Sequence, residues 1–204
     1  MAAAALVAAV DWVAVAVGRR SIEVVTKPLV IVLLIGVATT LSPESGAQWL
    51  LFVGALVASL LGDVALLATA RWFIAGLGAF AVAHLLYIVG LLIEPGTPDS
   101  PVFGLLVVVP VGLLYGSRIV RGASERRGRL LAVAVVAYLL VISGTVVAAG
   151  VSGDPVARIG ALALLASDAI LGWNRFVSPI PQGRLLTRIP YHSGQALMVL
   201  SLVG

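Results

Sequence analysis

Cysteine is absent from this 204-residue chain, and only 11% of its residues are charged, against about 25% in an ordinary soluble domain. The first absence excludes a disulfide framework, a thiol nucleophile and a cysteine-based metal site. The second excludes a soluble globular enzyme and a disordered chain. Histidine is scarce as well: His84 and His192 are the only two, too few for a three-histidine zinc site. No GxSxG elbow, P-loop or HExxH motif occurs. A metal held by His84, His192, Asp63 and Asp168 has no ligand spacing to support it, so neither metal nor cofactor is expected. The net charge is +4, yet the basic residues stand between apolar blocks and not on a polar face, so no nucleic-acid partner is expected either.

What remains is apolar: 61% hydrophobic residues and a mean hydropathy of +1.14. Apolar runs fall at about 2–18, 28–42, 47–70, 72–93, 102–118, 129–150, 157–174 and 189–204. They are continuous rather than alternating, which suits helices and not barrel strands. The expected fold is all-α: a polytopic bundle of eight transmembrane helices forming a single integral membrane domain over residues 1–204. The charge census agrees with that count. Twelve of the thirteen basic residues fall in or beside odd-numbered loops, and only Arg158 falls in an even one. Glu44, Glu94, Asp99 and Asp154 lie on the even side. By the positive-inside rule both termini are then non-cytoplasmic. The first run lacks a basic leader, carries Asp11 in its middle and is followed by Arg19–Arg20, so it reads as a retained helix rather than a cleaved signal. The second and last runs have about 15 apolar residues, roughly 22 Å, and must extend into their flanks or tilt little to cross a ~30 Å core. Pro28 and Pro190 suit first-turn positions. "RGASERRGR" reads as a solvated loop, "SPIPQG" as a loop, and Asp11 as peripheral or a weak helix-contact residue. Gly76, Ala79, Ala83 and Gly90 would let span four approach its neighbours closely. "SLLGDVALLATARWF" echoes "LLASDAILGWNRF", which suggests a parallel four-plus-four repeat.

Carboxylates inside membrane helices are costly, about 2.5–3.5 kcal/mol each at mid-helix, and mark function by default. Asp63 lies about 12 Å, and Asp168 about 10 Å, inside the cytoplasmic ends of their spans. His84 and Tyr87 share a face near mid-membrane; Tyr191 and Gln195 share one on span eight, which His192 could join. Ser59 is one turn before Asp63, and Arg175 points the same way as Asp168. With Lys27 opening span two, these groups could line one polar cavity open to the cytoplasmic leaflet. Taken as residues alone, each has a plainer use. The two aspartates could be paired structurally, and His84 could be a core histidine. Tyr87 and Tyr191 could be amphipathic aromatics, and Lys27, Arg175, Arg184 and Arg188 snorkelling topology signals.

"KPL" at 27–29, "LLGD" in span three, "GLGAFAVAHLLY" in span four, "RIGALALLASDAILGWNRF" in span seven and "YHSGQALMVLS" in span eight together resemble the YhhN-like lysoplasmalogenase family of multi-pass membrane proteins. The resemblance covers about 27–201. It implies hydrolysis of the vinyl ether bond of lysoplasmalogens (alkenyl-glycerophosphocholine or -ethanolamine) to a fatty aldehyde and a glycerophospho-alcohol. The residues it carries over are Lys27, Asp63, His84, Tyr87, Asp168, Arg175, Tyr191 and Gln195, with Tyr138 matching a tyrosine often seen in span six and Asn174 in the same motif as Arg175. Asp63, Asp168 and His84 are then the catalytic set, and Lys27, Tyr87, Tyr138, Asn174, Arg175, Tyr191 and Gln195 the substrate-binding set.

Vinyl ether hydrolysis needs a proton donor to carbon and an anion near the resulting cation, roles that a pair of carboxyl groups divides in glycosidases. Arg175 suits Asp168 as the ionised partner, which makes Asp63 the preferred acid, with His84 orienting water. The expected partners are a lysophospholipid substrate and membrane lipids, with room for a homodimer, and the expected location is the cytoplasmic membrane of a bacterium. A transporter or lipid-binding protein without hydrolytic activity is the competing reading, favoured by the intramembrane acids and the weak repeat. A non-catalytic structural role is the third.

Overall fold

The computed structural model describes residues 1–204 except 44, 69, 94–99 and 204, and gives no side-chain placement for Ala70 and Arg127. Glu44, Glu94 and Asp99, three acids of the charge map, lie outside the described residues. Among the described residues the chain is entirely helical. Its helices are α1 (Ala2–Ala16), α2 (Arg20–Ala38), α3 (Gly46–Ala68), α4 (Phe73–Ile93), α5 (Val102–Arg126), α6 (Gly128–Val151), α7 (Pro155–Phe176) and α8 (Gly183–Leu200). Six of them, α2 to α7, are long and apolar enough to cross a membrane. The backbone requires this: in hydrocarbon every N–H and C=O must be satisfied within the segment, and a helix does so.

The boundary between α5 and α6 corrects the sequence expectation. Hydrogen bonding is helical through Ser117–Val151, so "RGASERRGR" is not an irregular loop. The reversal is concentrated at Gly128, whose φ of +81° only glycine adopts without strain. Two other expectations shift. Pro28 and Pro190 lie inside their helices, not in the first turn, because α2 begins at Arg20 and α8 at Gly183. The short apolar runs therefore do extend into their charged flanks, and those flanks carry Glu23, Lys27 and Arg188 inward. The "SPIPQG" stretch is a loop as expected, entered by Trp173 donating to Ser178 Oγ (3.1 Å). At the start of α7, Asp154 accepts the Val156 N–H at 2.7 Å with Pro155 behind it, a regular N-cap.

α3 packs along α4, α7 along α8 and α1 along α2, while α6 touches both α4 and α7. One large core, including Ile31, Phe52, Leu56, Tyr87, Ile142 and Met198, runs through the bundle. A smaller one groups Phe73, Ile119, Leu131 and Phe176. Small residues set the helix spacing: Gly90 faces the Phe52 ring, and Gly194 lies against Gly160 and Leu164. One close helix–helix approach is between α5 and α6, where a Cβ on Gly104 would stand 2.5 Å from Val147 Cα and 3.0 Å from Val146 O. Backbone cannot yield as a side chain can. Gly104→Ala is expected to destabilise the protein by about 1–3 kcal/mol. Gly36→Ala in α2, where nothing lies within 4 Å, should be neutral or slightly stabilising. Thermal unfolding of both variants in detergent checks the pair.

Candidate active site

The N-terminal ends of α2 and α8 and the C-terminal ends of α3 and α7 converge at one end of the bundle, around a polar cavity of about 280 Å³. Asp63 and Asp168 both line it, as do Lys27, His84, Asn174, Arg175, Tyr191 and Gln195. Its rim carries Arg20, Arg184 and Arg188. Of the expected residues only Tyr87 and Tyr138 are missing from its wall.

The two aspartates sit in different surroundings. Asp63 is fully buried. Lys27 Nζ lies 2.8 Å from its Oδ1, and the Tyr191 hydroxyl donates to Oδ2 at 2.8 Å. The ammonium also stands 5.5 Å from the Tyr191 ring centre. One oxygen of Asp63 is thus ion-paired with a cation and the other accepts a hydrogen bond. Asp168 keeps 15% of its side chain exposed. It accepts the Tyr138 hydroxyl at 2.9 Å, and His84 Nε2 lies 3.5 Å from the same oxygen. Arg175, expected to be the partner of Asp168, stacks over the Phe73 ring at 4.8 Å and makes no ion pair among the described residues. The cation expected beside Asp168 therefore lies on Asp63, and of the two carboxyl groups Asp168 is the more exposed.

His84 is held from behind by Thr145, whose Oγ1 lies 3.0 Å from Nδ1. Thr145 escaped notice in the sequence because a lone threonine in an apolar helix is ordinary; its position opposite His84 exists only once α4 meets α6. Tyr87 does not reach the cavity. Its hydroxyl donates to Gln195 Oε1 at 2.6 Å, and Gln195 Nε2 donates to Ser59 Oγ at 3.0 Å. That chain, with Tyr87 at its buried end, holds Gln195 in the wall. Asn174 lines the cavity, but its Oδ1 accepts the Ile180 N–H at 2.9 Å and so also fixes the loop before α8. His192 lies outside the polar cavity, its ring 5.4 Å from that of Tyr191, and accepts the Trp12 Nε1–H at 3.2 Å.

The rim holds an ionic cluster that the sequence reading missed. Glu23, 1% exposed, takes Arg20 at 3.1 Å and also Arg184 and Arg188. Arg188 reaches Asp11 at 3.6 Å, and Thr26 donates to Asp11 at 2.7 Å. Asp11 is therefore a fully buried helix-contact residue and not a peripheral one, and Arg188 is a buried structural cation rather than a snorkelling one. These partners are more than 150 residues apart in places, so spacing could not pair them. Three guanidinium groups around Glu23 and Asp11 leave one positive charge over, and Arg175 adds another, so the mouth attracts an anion.

The YhhN family model matches residues 22–202 of this chain. The human protein named lysoplasmalogenase TMEM86B is 32% identical over 175 residues, 86% of this chain and 73% of that one. Its Sus scrofa counterpart is 35% identical over 149 residues, 73% of this chain and 62% of that one, and the Mus musculus protein 34% over 160 residues, 78% and 66%. The chain thus spans about two-thirds of the length of these relatives. No solved structure matches.

Proposed function

The chain belongs to the YhhN family, and from that premise we propose that it hydrolyses the vinyl ether bond of lysoplasmalogens, releasing a fatty aldehyde and a glycerophospho-alcohol. The observation that carries the reading is the sharing of one cavity by Asp63 and Asp168, carboxyl groups from separate helices with opposite environments. Paired groups of that kind divide acid and anion roles between them.

In this reading Asp168, in its protonated form, gives its proton to the β-carbon of the alkene. The C=C electron pair takes up that proton, and the α-carbon becomes an oxocarbenium ion shared with the ether oxygen. Asp63 supplies fixed negative charge across the cavity, held in place by Lys27 and Tyr191. Water adds to the α-carbon and returns a proton to the Asp168 carboxylate, giving a hemiacetal. The hemiacetal loses its hydroxyl proton as the bond to the glycerol oxygen breaks and that oxygen is protonated. One water is consumed and the acid is regenerated. His84, backed by Thr145, orients the water beside Asp168. Tyr138 fixes the Asp168 carboxyl. Arg175 and the surplus guanidinium charge at the rim take the phosphate, with Asn174 and Gln195 shaping the glycerol site.

The reading also sets the frame in which this happens. All eight helices cross the cytoplasmic membrane of a bacterium as one domain, both termini outside and the cavity opening to the cytoplasmic leaflet. The gathering of Arg20, Arg175, Arg184 and Arg188 at the cavity end supports that orientation. The α3–α4 and α7–α8 pairs would hold equivalent places in the two halves of a four-plus-four repeat.

The test is purified protein in detergent with an alkenyl lysophospholipid. Aldehyde is expected, and in D₂O the aldehyde, trapped at once by reduction, carries one deuterium at C2. No aldehyde from the folded protein would leave a carrier or lipid-binding role. Arg175→Ala should raise KM about tenfold with kcat nearly unchanged, as loss of a charged hydrogen bond to the headgroup would. A fall confined to kcat would remove Arg175 from headgroup binding.

A further inference from the structure

Asp168 is not only on the polar cavity. It also lines a second, apolar hollow of about 420 Å³ between α5, α6 and α7, bounded by Val109, Gly112, Leu113, Gly116, Leu140 and Ala169. Between the two lies a neck of about 30 Å³. The neck shares Leu171 and Arg175 with the polar cavity and Ile119 and Leu139 with the apolar hollow, and Asp168 belongs to all three. Tyr138 stands in the neck, bonded to Asp168. The apolar hollow faces outward: Val109, Leu113 and Leu140 are 52%, 71% and 69% exposed, on a face the fold leaves to lipid. Its floor is the one place where α5 departs from α-helical bonding, a π-helical turn over Gly112–Gly116 just after Pro110. Pro110 cannot bond back to the preceding turn, and a π turn widens the helix locally, a distortion often found at functional sites. Gly112, where a Cβ would meet nothing within 4 Å, then leaves space beside it.

We propose that this outward hollow is the site for the hydrocarbon chain of a single-chain lipid, which enters sideways from the bilayer between α5 and α6 while the headgroup occupies the polar cavity and Asp168 meets the bond at their junction. The proposal rests on the hydrolase reading for its chemistry but not for its geometry. A lipid with a polar, anionic head and one chain matches the sequence of volumes: charged mouth, narrow neck at the reactive carboxyl, apolar outward slot. Another apolar hollow, about 340 Å³ between α1, α2 and α8, shares no residue with the polar cavity and touches neither aspartate. It is the internal control.

The experiment uses the full-length protein in detergent with a saturated-ether lysophospholipid carrying a diazirine near the end of its chain, which binds without being cleaved. Photolysis and peptide mapping should label 108–116 and 139–143, and excess unlabelled lysophospholipid should abolish the labelling. Labelling at the α1–α2–α8 hollow instead, or none that competes, overturns the proposal. Gly112→Trp fills the slot where the wild-type Cβ position meets nothing within 4 Å. It should lower kcat/KM at least tenfold for a long-chain alkenyl lysophospholipid and less than twofold for a short-chain one. Equal loss on both, or on neither, overturns it. If the photoprobe labels the slot but the wild-type protein releases no aldehyde, the hydrolase reading fails and the chain site stands.

Discussion

Replacing Asp168 by asparagine is expected to lower aldehyde release by about 10²–10⁴-fold, the usual contribution of a positioned proton donor, and to leave the fold intact. The geometry separates the two effects. Asp168 is partly exposed, and asparagine has nearly the same shape and can still accept the Tyr138 hydroxyl through its Oδ1, so no buried charge is stranded. What it lacks is the acidic proton. Deuterium incorporation at C2 would fall with the rate, because both report the same transfer to carbon. Tyr138→Phe should cost far less, about tenfold, since it loosens the carboxyl without removing it. A rate within a few-fold of wild type in Asp168→Asn, at unchanged melting temperature, would move the donor elsewhere in the cavity.

Sequence reading reached the helices and the two aspartates for one physical reason: both are signals a single segment carries. A run of 20 apolar residues announces a span by itself, and a carboxylate within such a run is conspicuous because hydrocarbon penalises it. Register along one helix was equally readable, and it put Ser59 with Asp63 and Tyr191 with Gln195. What spacing could not supply was pairing between helices. The sequence puts Lys27 at the opening of span two and on the polar cavity, but not on a partner. α2 starts two turns earlier, and Lys27 pairs with Asp63. The same shift carried Glu23 inward and made it the anchor for Arg184 and Arg188. Thr145 behind His84, and Asp11 behind Arg188, are likewise visible only across helix contacts. Local backbone exceptions were hidden too: composition marks a break between spans five and six but neither its position at Gly128 nor the π turn at Gly112–Gly116.

The Lys27–Asp63 pair gives the second large effect, on stability as well as rate. Lys27→Met is expected to destabilise the protein by about 3–5 kcal/mol, because it leaves the fully buried Asp63 without its counter-ion. Asp63→Asn should cost a similar amount by stranding the ammonium. The double variant Lys27→Met/Asp63→Asn removes both charges together and should recover most of that loss, since a buried ion pair contributes little beyond the cost of breaking it. Activity should not follow stability. The double variant keeps the fold but has no fixed negative charge opposite the oxocarbenium ion, so kcat stays low while the melting temperature in detergent returns toward wild type. If Lys27 instead served mainly to bind the headgroup, its single variant would raise KM at near-normal kcat and stability. If the double variant were as unstable as the worse single one, the pair would not be the source of the loss, and the packing of Tyr191 against Lys27 would have to be. Only the first pattern fits a carboxylate kept charged in the membrane for chemistry, with a lysine retained to hold it there.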